Sequence, residues 1–324
     1  KKARKQSNSE KGDSLSCGNV LKWSVEREGY KRMFELIQAG EKTYYINNRN
    51  IMGLYCLNDK EVCLIDTGDG EKAAAAIQEI LEEKGWSLKF IINTHTHIDH
   101  LGGNAYLMHK WKCPAYATNV DTAFANHKIL EASYMFGGYP CEELRRIFAH
   151  PGPLGFRDIE NFELPQGLDM IHLPGHSFGM IGIKTSDDVW FIGDSVLNWK
   201  SLEKYQFGYL VDVEGYLNTL ALLKTLEGNL FIPTHGKAET DIRPLADGNQ
   251  NNIKNNMDVI LEICRGGKNF DLILREIFTH YRIAPRMSQY VLIGSTLRCY
   301  MTCLQERGKL RFHFENNILI WETL

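Results

Sequence analysis

The sequence predicts an α/β layered domain, with helices covering a sheet, followed by a small module of helices and a terminal β-hairpin. Three observations predict it. Short runs rich in Val, Ile and Leu alternate with stretches whose apolar residues recur at helical spacing. Five of those apolar runs each end on a His or an Asp, as expected of strands that deliver side chains to one edge of a sheet. Beyond Gly266-Gly267 the pattern turns to helices and then two short strands around Glu315-Asn316-Asn317.

In chain order, residues 1–32 are polar and basic, with nine Lys or Arg against four Asp or Glu, and read as a mobile tail. Residues 33–267 form the main domain. Phe34–Ile37, Thr43–Ile46, Ile51–Leu57 and Glu61–Ile65 are predicted strands. Glu71–Lys84 is Ala-rich at helical spacing and stops at Gly85. A strand is predicted at 88–93, then a helix through about His109, then a strand at Ala115–Thr118. Residues 119–160 carry many aromatics and no clear period. Strands are expected again at Leu168–Leu173, Ile181–Lys184, Val189–Ile192 and Asn229–Ile232, and helices at Glu214–Leu226 and Pro244–Cys264. Residues 268–324 are read as three helices (Phe270–Tyr281, Ser288–Ile293, Ser295 to about Arg307) and a hairpin, the layout of a winged helix.

Composition sets bounds on function. With 44% apolar and 24% charged residues the chain is an ordinary globular protein. No apolar run approaches the ~20 residues that cross a bilayer, and no apolar segment follows the basic start, so neither a membrane span nor a signal peptide is expected. Eight cysteines show no C-x-x-C spacing and several sit in apolar runs, which points to free thiols in a reducing, cytoplasmic compartment. Cys299 and Cys303, four apart on a predicted helix, read as small core residues. The main domain is acidic, which argues against a nucleic-acid groove there.

The chemistry is concentrated in Thr94-His95-Thr96-His97-Ile98-Asp99-His100. Burying three imidazoles and a carboxylate this close costs several kcal/mol unless something satisfies them. In extended chain, His95 and His97 point the same way and fit one ion, while Asp99 and His100, past the turn into a helix, face another. The other strand ends add Asp66, Gly175-His176, Gly193-Asp194 and Thr234-His235-Gly236. Glycines 68, 175, 193 and 236 permit the tight backbone this convergence needs. We assign His95, His97 and His176 to one metal ion and Asp99, His100 and His235 to a second. Asp194 bridges them, and Asp66 orients a ligand imidazole from behind. Two divalent ions are expected, zinc first, with iron or manganese served by the same donors.

This H-x-H-x-D-H segment, with Gly175-His176, Gly193-Asp194 and Thr234-His235-Gly236, resembles the metallo-β-lactamase superfamily over about residues 33–245. The resemblance implies a four-layer αβ/βα sandwich with a one- or two-metal site at one edge, and is closest in ligand order to the glyoxalase II-like hydrolases. Many zinc β-lactamases carry Cys where Asp194 stands, which argues against antibiotic hydrolysis. The oxygen-reducing diiron members carry Glu where His97 stands. The forty residues between Asp194 and His235 leave no room for the inserted domain of the large RNA-processing members. The winged-helix-like end also departs from the helical glutathione-binding region of glyoxalase II.

The expected function is hydrolysis of an ester, thioester or lactone by a hydroxide held between two metals, with Asp99 both ligand and proton relay. A single iron in the same site is the alternative, as in the family's persulfide dioxygenases. Candidate pocket walls are the aromatics of 119–160 and the run Tyr205-Gln206-Phe207-Gly208-Tyr209; Lys200 and Lys204 are weaker candidates. His150 and His172 are read as structural or surface residues. The expected partner is a small-molecule substrate. The C-terminal module is expected to dock on the main domain or to form a homodimer. Nucleic-acid binding through Arg298, Arg307, Lys309 and Arg311 is the competing reading.

Overall fold

A computed structural model describes residues 34–148, 154–204 and 206–324. The predicted tail at 1–32, His150 and Tyr205 lie outside the described residues. The first sheet runs in the order β1 (Glu35–Gln38), β2 (Thr43–Asn47), β3 (Met52–Cys56), β4 (Glu61–Ile65), β5 (Ser87–Ile92), β6 (Ala115–Ala117), β7 (Arg157–Asp158). Its first four strands are antiparallel, and β4 to β7 are parallel. The second sheet has the order β11 (Leu230–Pro233), β10 (Val189–Gly193), β9 (Ile181–Thr185), β8 (Leu168–His172), with only β10 and β11 parallel.

Alternation of side chains sorts the strands into layers. Cys63, Ile65, Phe90 and Ile92 of the first sheet pack against Ile181, Ile183, Phe191 and Ile232 of the second. Their neighbours Val62, Leu64 and Ile91 point the opposite way, onto Ala73, Ala74, Ile77 and Leu81 of α1 (Glu71–Lys84). On the far side of the second sheet, Trp190, Ile192 and Phe231 meet Tyr216 and Leu220 of an α-helix at Val213–Leu223 and Leu245 and Ile260 of another at Arg243–Ile263. The layers are therefore helix, sheet, sheet, helix. Strands buried on both faces explain why the sequence shows unbroken apolar runs where half-exposed strands would alternate.

Four predicted segments differ from what is observed. The helix expected through His109 is two, Ile98–Leu101 and Asn104–Trp111, interrupted at Gly102-Gly103. A Cβ on Gly102 would lie 2.5 Å from the Gly70 amide nitrogen, so the chain must turn there without one. Residues 119–147 form three short helices, Asn119–Asn126, Leu130–Phe136 and Glu142–Ile147. Each buries only one or two side chains, too few to print a period on the sequence. The helices expected near 288–293 and 295–307 are one, Met287–Glu306, continuous through Gly294. A mid-helix glycine costs about 1 kcal/mol, less than the burial of Ile293, Leu297, Tyr300, Met301 and Leu304 returns. The segment after Gly266-Gly267 thus holds two helices (Phe270–His280 is the other) and a short strand, β12 (Lys268–Asn269). The strand joins the hairpin of β13 (Leu310–Glu315) and β14 (Ile318–Thr323).

That segment shares its core with the second sheet. Leu297, Tyr300 and Leu304 belong to the same buried cluster as Trp190, Phe231 and Tyr216. The Leu210 amide donates to Thr296 Oγ1 at 3.1 Å, and Arg307 forms an ion pair with Glu214 at 2.6 Å. Among the described residues, no helix is long and apolar enough to cross a membrane.

Candidate metal centre

The ends of β4, β5, β8, β10 and β11 gather at one edge of the two sheets. Asp66, directly after β4, has a left-handed backbone (φ 59°), a conformation costly for a non-glycine residue and held here by the hydrogen bonds of its side chain. One carboxylate oxygen accepts the Thr94 amide at 2.8 Å; the other accepts the Thr94 hydroxyl at 2.7 Å and His100 Nδ1 at 2.9 Å. With Nδ1–H donating to Asp66, His100 turns Nε2 into the site. The His100 carbonyl is held in turn by Thr67 N at 2.7 Å and Asn93 Nδ2 at 2.9 Å.

His95 and His97 lie between β5 and the short helix Ile98–Leu101, with His95 Nε2 and His97 Nδ1 2.9 Å apart. His176 Nε2 is 3.0 Å from the same His97 nitrogen. The turn that carries His176 depends on Gly175 (φ 128°), where a Cβ would fall 2.4 Å from Tyr216 Cα. Asp194 follows an irregularity in the β10–β11 register between Phe191 and Gly193, the kind of bulge that re-aims a side chain. It stands at the centre of the cluster, with Oδ1 3.5 Å from His100 Nε2 and Oδ2 3.4 Å from both His176 Nε2 and His235 Nε2. Asp99 Oδ2 is 3.2 Å from His235 Nε2.

The donors fall into overlapping sets whose ligand atoms lie within 4.8 Å of one another: His95, His97, His176; His95, His100, Asp194; and Asp99, His100, His235. The first and third are the two groupings expected from the sequence, and all seven ligand candidates are brought together. Two atoms at the centre, His100 Nε2 and Asp194 Oδ1, are buried without a hydrogen-bond partner. A buried polar atom left so costs about 1–3 kcal/mol, and a cation between them would satisfy both. The donor chemistry, five imidazoles and two carboxylates, fits zinc.

Charge sorts the imidazoles into two kinds. Burial, reinforced by His100 and His97, pushes His95 well below its ordinary range, and burial takes His176 down to about 4. These two are neutral and offer lone pairs. Burial would lower His235 as well, but Asp194 and Asp99 outweigh it and raise it to about 10. His100 is likewise driven upward, against burial, by Asp194 and Asp66. Burial works to raise the Asp99 and Asp194 carboxyls, yet His235 and His100 hold both below the ordinary carboxylate range. Imidazolium protons thus supply the positive charge that a bound dication would supply in their place.

The metallo-beta-lactamase superfamily pattern matches residues 52–235, more than half of the chain and a span that contains every ligand candidate. The chain belongs to the metallo-beta-lactamase superfamily. Within the superfamily it is 33% identical to the hydroxyacylglutathione hydrolase GloC of Haemophilus influenzae over 140 residues, 42% of this chain and 62% of that enzyme. A hydroxyacylglutathione hydrolase of Methylococcus capsulatus is 28% identical over 178 residues, 48% of this chain and 60% of its own length. The chain therefore spans about three fifths of those two hydrolases. Among solved structures, a beta-lactamase domain protein from Burkholderia ambifaria superimposes with a TM-score of 0.68 at 16% identity, covering 90% of this chain and 94% of that one. A metallo-beta-lactamase family protein from Thermus thermophilus gives 0.62 at 20% identity, over 90% and 99%. At such identities the likeness is one of fold.

Sequence reasoning missed three groups around this superfamily site. Arg49 places its carbonyl oxygen 3.3 Å from His235 Nδ1, and Asn50 Nδ2 donates to the Asp99 carbonyl at 3.0 Å. Asp121, 3% exposed, accepts from Thr96 Oγ1 at 3.3 Å, Thr118 Oγ1 at 3.0 Å and Ser177 Oγ at 3.5 Å. It thereby braces the residue between His95 and His97 and the residue after His176. Asp121 lies four positions past β6, inside the helix Asn119–Asn126, and the strand-end pattern did not single it out. Of the aromatic candidates, Tyr209 lies against His97 and His176, at ring distances of 5.7 and 5.9 Å. Phe207 instead packs in the core, 5.1 Å from Tyr300. Lys200 is exposed, and His172 is a surface residue 3.6 Å from Glu160.

Proposed function

We propose that this chain is a metal-dependent hydrolase of carboxylic ester, thioester or lactone bonds, working with two zinc ions. The observation that carries this reading is the position of Asp194, within 3.5 Å of three imidazoles that belong to both donor groups. Similarity to hydroxyacylglutathione hydrolases supports the thioester class.

His95, His97 and His176 would hold one ion, Asp99, His100 and His235 the other, and Asp194 both. When bound, the pair would lower the pKa of a water toward neutrality and polarise the substrate carbonyl. The protein's own part is positional. Asp66 fixes the His100 tautomer, Asp121 braces the two loops carrying the first group, and the Arg49 carbonyl oxygen orients His235. Asp99 is the partly exposed carboxylate of the cluster, at 36%, and faces both His235 and solvent. It accepts a proton from the attacking water as the water oxygen bonds to the carbonyl carbon. It then gives that proton to the sulfur or oxygen that leaves as the C–S or C–O bond breaks.

The segment from β12 to β14 is proposed as a winged-helix-like module docked on the main domain, with its exposed edge strand β13, which carries Phe312 and Phe314, as the surface for a homodimer. Seven free cysteines among the described residues support a reducing compartment such as the cytoplasm.

Turnover of ester, thioester, lactone and phosphodiester panels before and after chelation tests the proposal. Hydrolysis of at least one carboxylic class, lost with EDTA and restored by Zn²⁺, is expected. Metal-dependent cleavage confined to phosphodiesters, RNA or DNA would overturn it.

A further inference from the structure

We infer that the recess beside His97 is a binding site for the acyl portion of the substrate, and that the acyl group it takes is apolar and uncharged. This rests on the hydrolase reading above. The recess is a shallow cleft that opens to solvent, with a cavity volume of about 20 Å³, so a group seated there lies across its wall and is not enclosed by it. His97 lines it, so a group seated there has its carbonyl next to the candidate metal donors.

Aromatic side chains from three separate elements form its wall. Phe124 and Phe178 are nearly parallel, 12° apart with centroids at 6.3 Å. Tyr134 stands edge-on to both, at 6.2 Å from Phe124 and 5.3 Å from Phe178. Despite packing on each other, Tyr134 and Phe178 remain 37% and 43% exposed. An apolar surface left open beside a polar centre marks a place where apolar ligand surface is buried.

Charge narrows the ligand further. Among the described residues, the carboxylates lining the recess are Asp121 and Glu131, and no Lys or Arg lines it. An anionic acyl group would be taken from water to lie against aromatic rings and beside the Asp121 and Glu131 carboxylates. The open ring surface favours an alkyl or aryl acyl group lying across it and disfavours succinyl-like or phosphorylated ones. The leaving group is unconstrained by this recess.

The test uses the full zinc-loaded chain and N-acetylcysteamine thioesters that share one leaving group: acetyl, hexanoyl, phenylacetyl and succinyl. A rise in kcat/KM of about tenfold or more from acetyl to hexanoyl or phenylacetyl is expected, carried mainly by KM, with succinyl no better than acetyl. In Phe178→Ala the hexanoyl-to-acetyl ratio should fall toward one, and Phe178→Leu should keep most of it. A flat series with turnover retained would overturn the acyl site and leave the hydrolase reading standing. If no thioester is turned over, calorimetric binding of hexanoate, phenylacetate and succinate still decides. Preference for the first two supports the site, while equal, absent or succinate-led binding refutes it.

Discussion

The strand-end cluster and the C-terminal hairpin are built on opposite plans. In the cluster, side chains from five strands converge on a volume a few ångströms across, and His95 and His100 are fully buried. In the hairpin, five of the six residues of β13 are exposed, Phe314 at 72%. Its ion pair, Arg311 with Glu322, is a surface contact of the kind worth about 0–1 kcal/mol. Buried, unsatisfied atoms that face one another within a set of metal-capable side chains, as His100 Nε2 and Asp194 Oδ1 do, point to a bound cation; exposed polar groups do not. That difference is why the first region carries the function assigned here and the second carries a proposal about contact.

The largest effect should come from the cluster. His97→Ala should lose turnover by about a thousandfold or more, since several kcal/mol of charge stabilisation depend on the ion it holds; a variant within tenfold of wild type would dissolve the contrast. Asp66→Ala is next. It touches no proposed ion, yet by freeing the His100 ring it should weaken metal affinity or activity by about 10–100-fold, measured by competition with a chromogenic chelator.

A pH titration sharpens the comparison from another side. In the metal-free protein His235 is raised from its ordinary 6.5 to about 10. Its stabilising contribution is therefore full below pH 6.5 and lost progressively as pH rises to 10. The melting temperature of the metal-free protein should fall across that window more than that of the zinc-loaded protein, in which no such proton remains to be lost. Parallel curves would contradict this. The smallest effect belongs to the hairpin. Phe314→Ser should change stability by no more than about 0.5 kcal/mol and leave zinc content intact, while lowering any dimer fraction seen in sedimentation. Loss of zinc in that variant would mean the two regions are not separate.

The sequence made the first region legible because its signal is local. Apolar runs ending in His or Asp can be read one strand at a time, and Gly175 and Gly193 mark the turns that aim His176 and Asp194. Asp66 was legible as an orienting carboxylate for the same reason. What remained hidden was set by tertiary packing. The Arg49 carbonyl has no side-chain signature, and Asp121 acts through Thr96 and Ser177, which the fold brings near it. The short helices between 119 and 147 take their order from packing rather than from period. Local propensity disfavours glycine mid-helix and so predicts a break at Gly294, whereas the helix Met287–Glu306 runs through it because the buried face around it outweighs that cost.

Zinc stoichiometry of four purified forms gives the most direct test: wild type, His97→Ala, His235→Ala and Asp194→Ala, each measured after exhaustive dialysis. Two donor groups joined by one carboxylate predict two ions in wild type, about one in each histidine variant, and fewer than one in Asp194→Ala. A wild type holding no zinc, or an Asp194→Ala protein holding as much as wild type, would contradict the account.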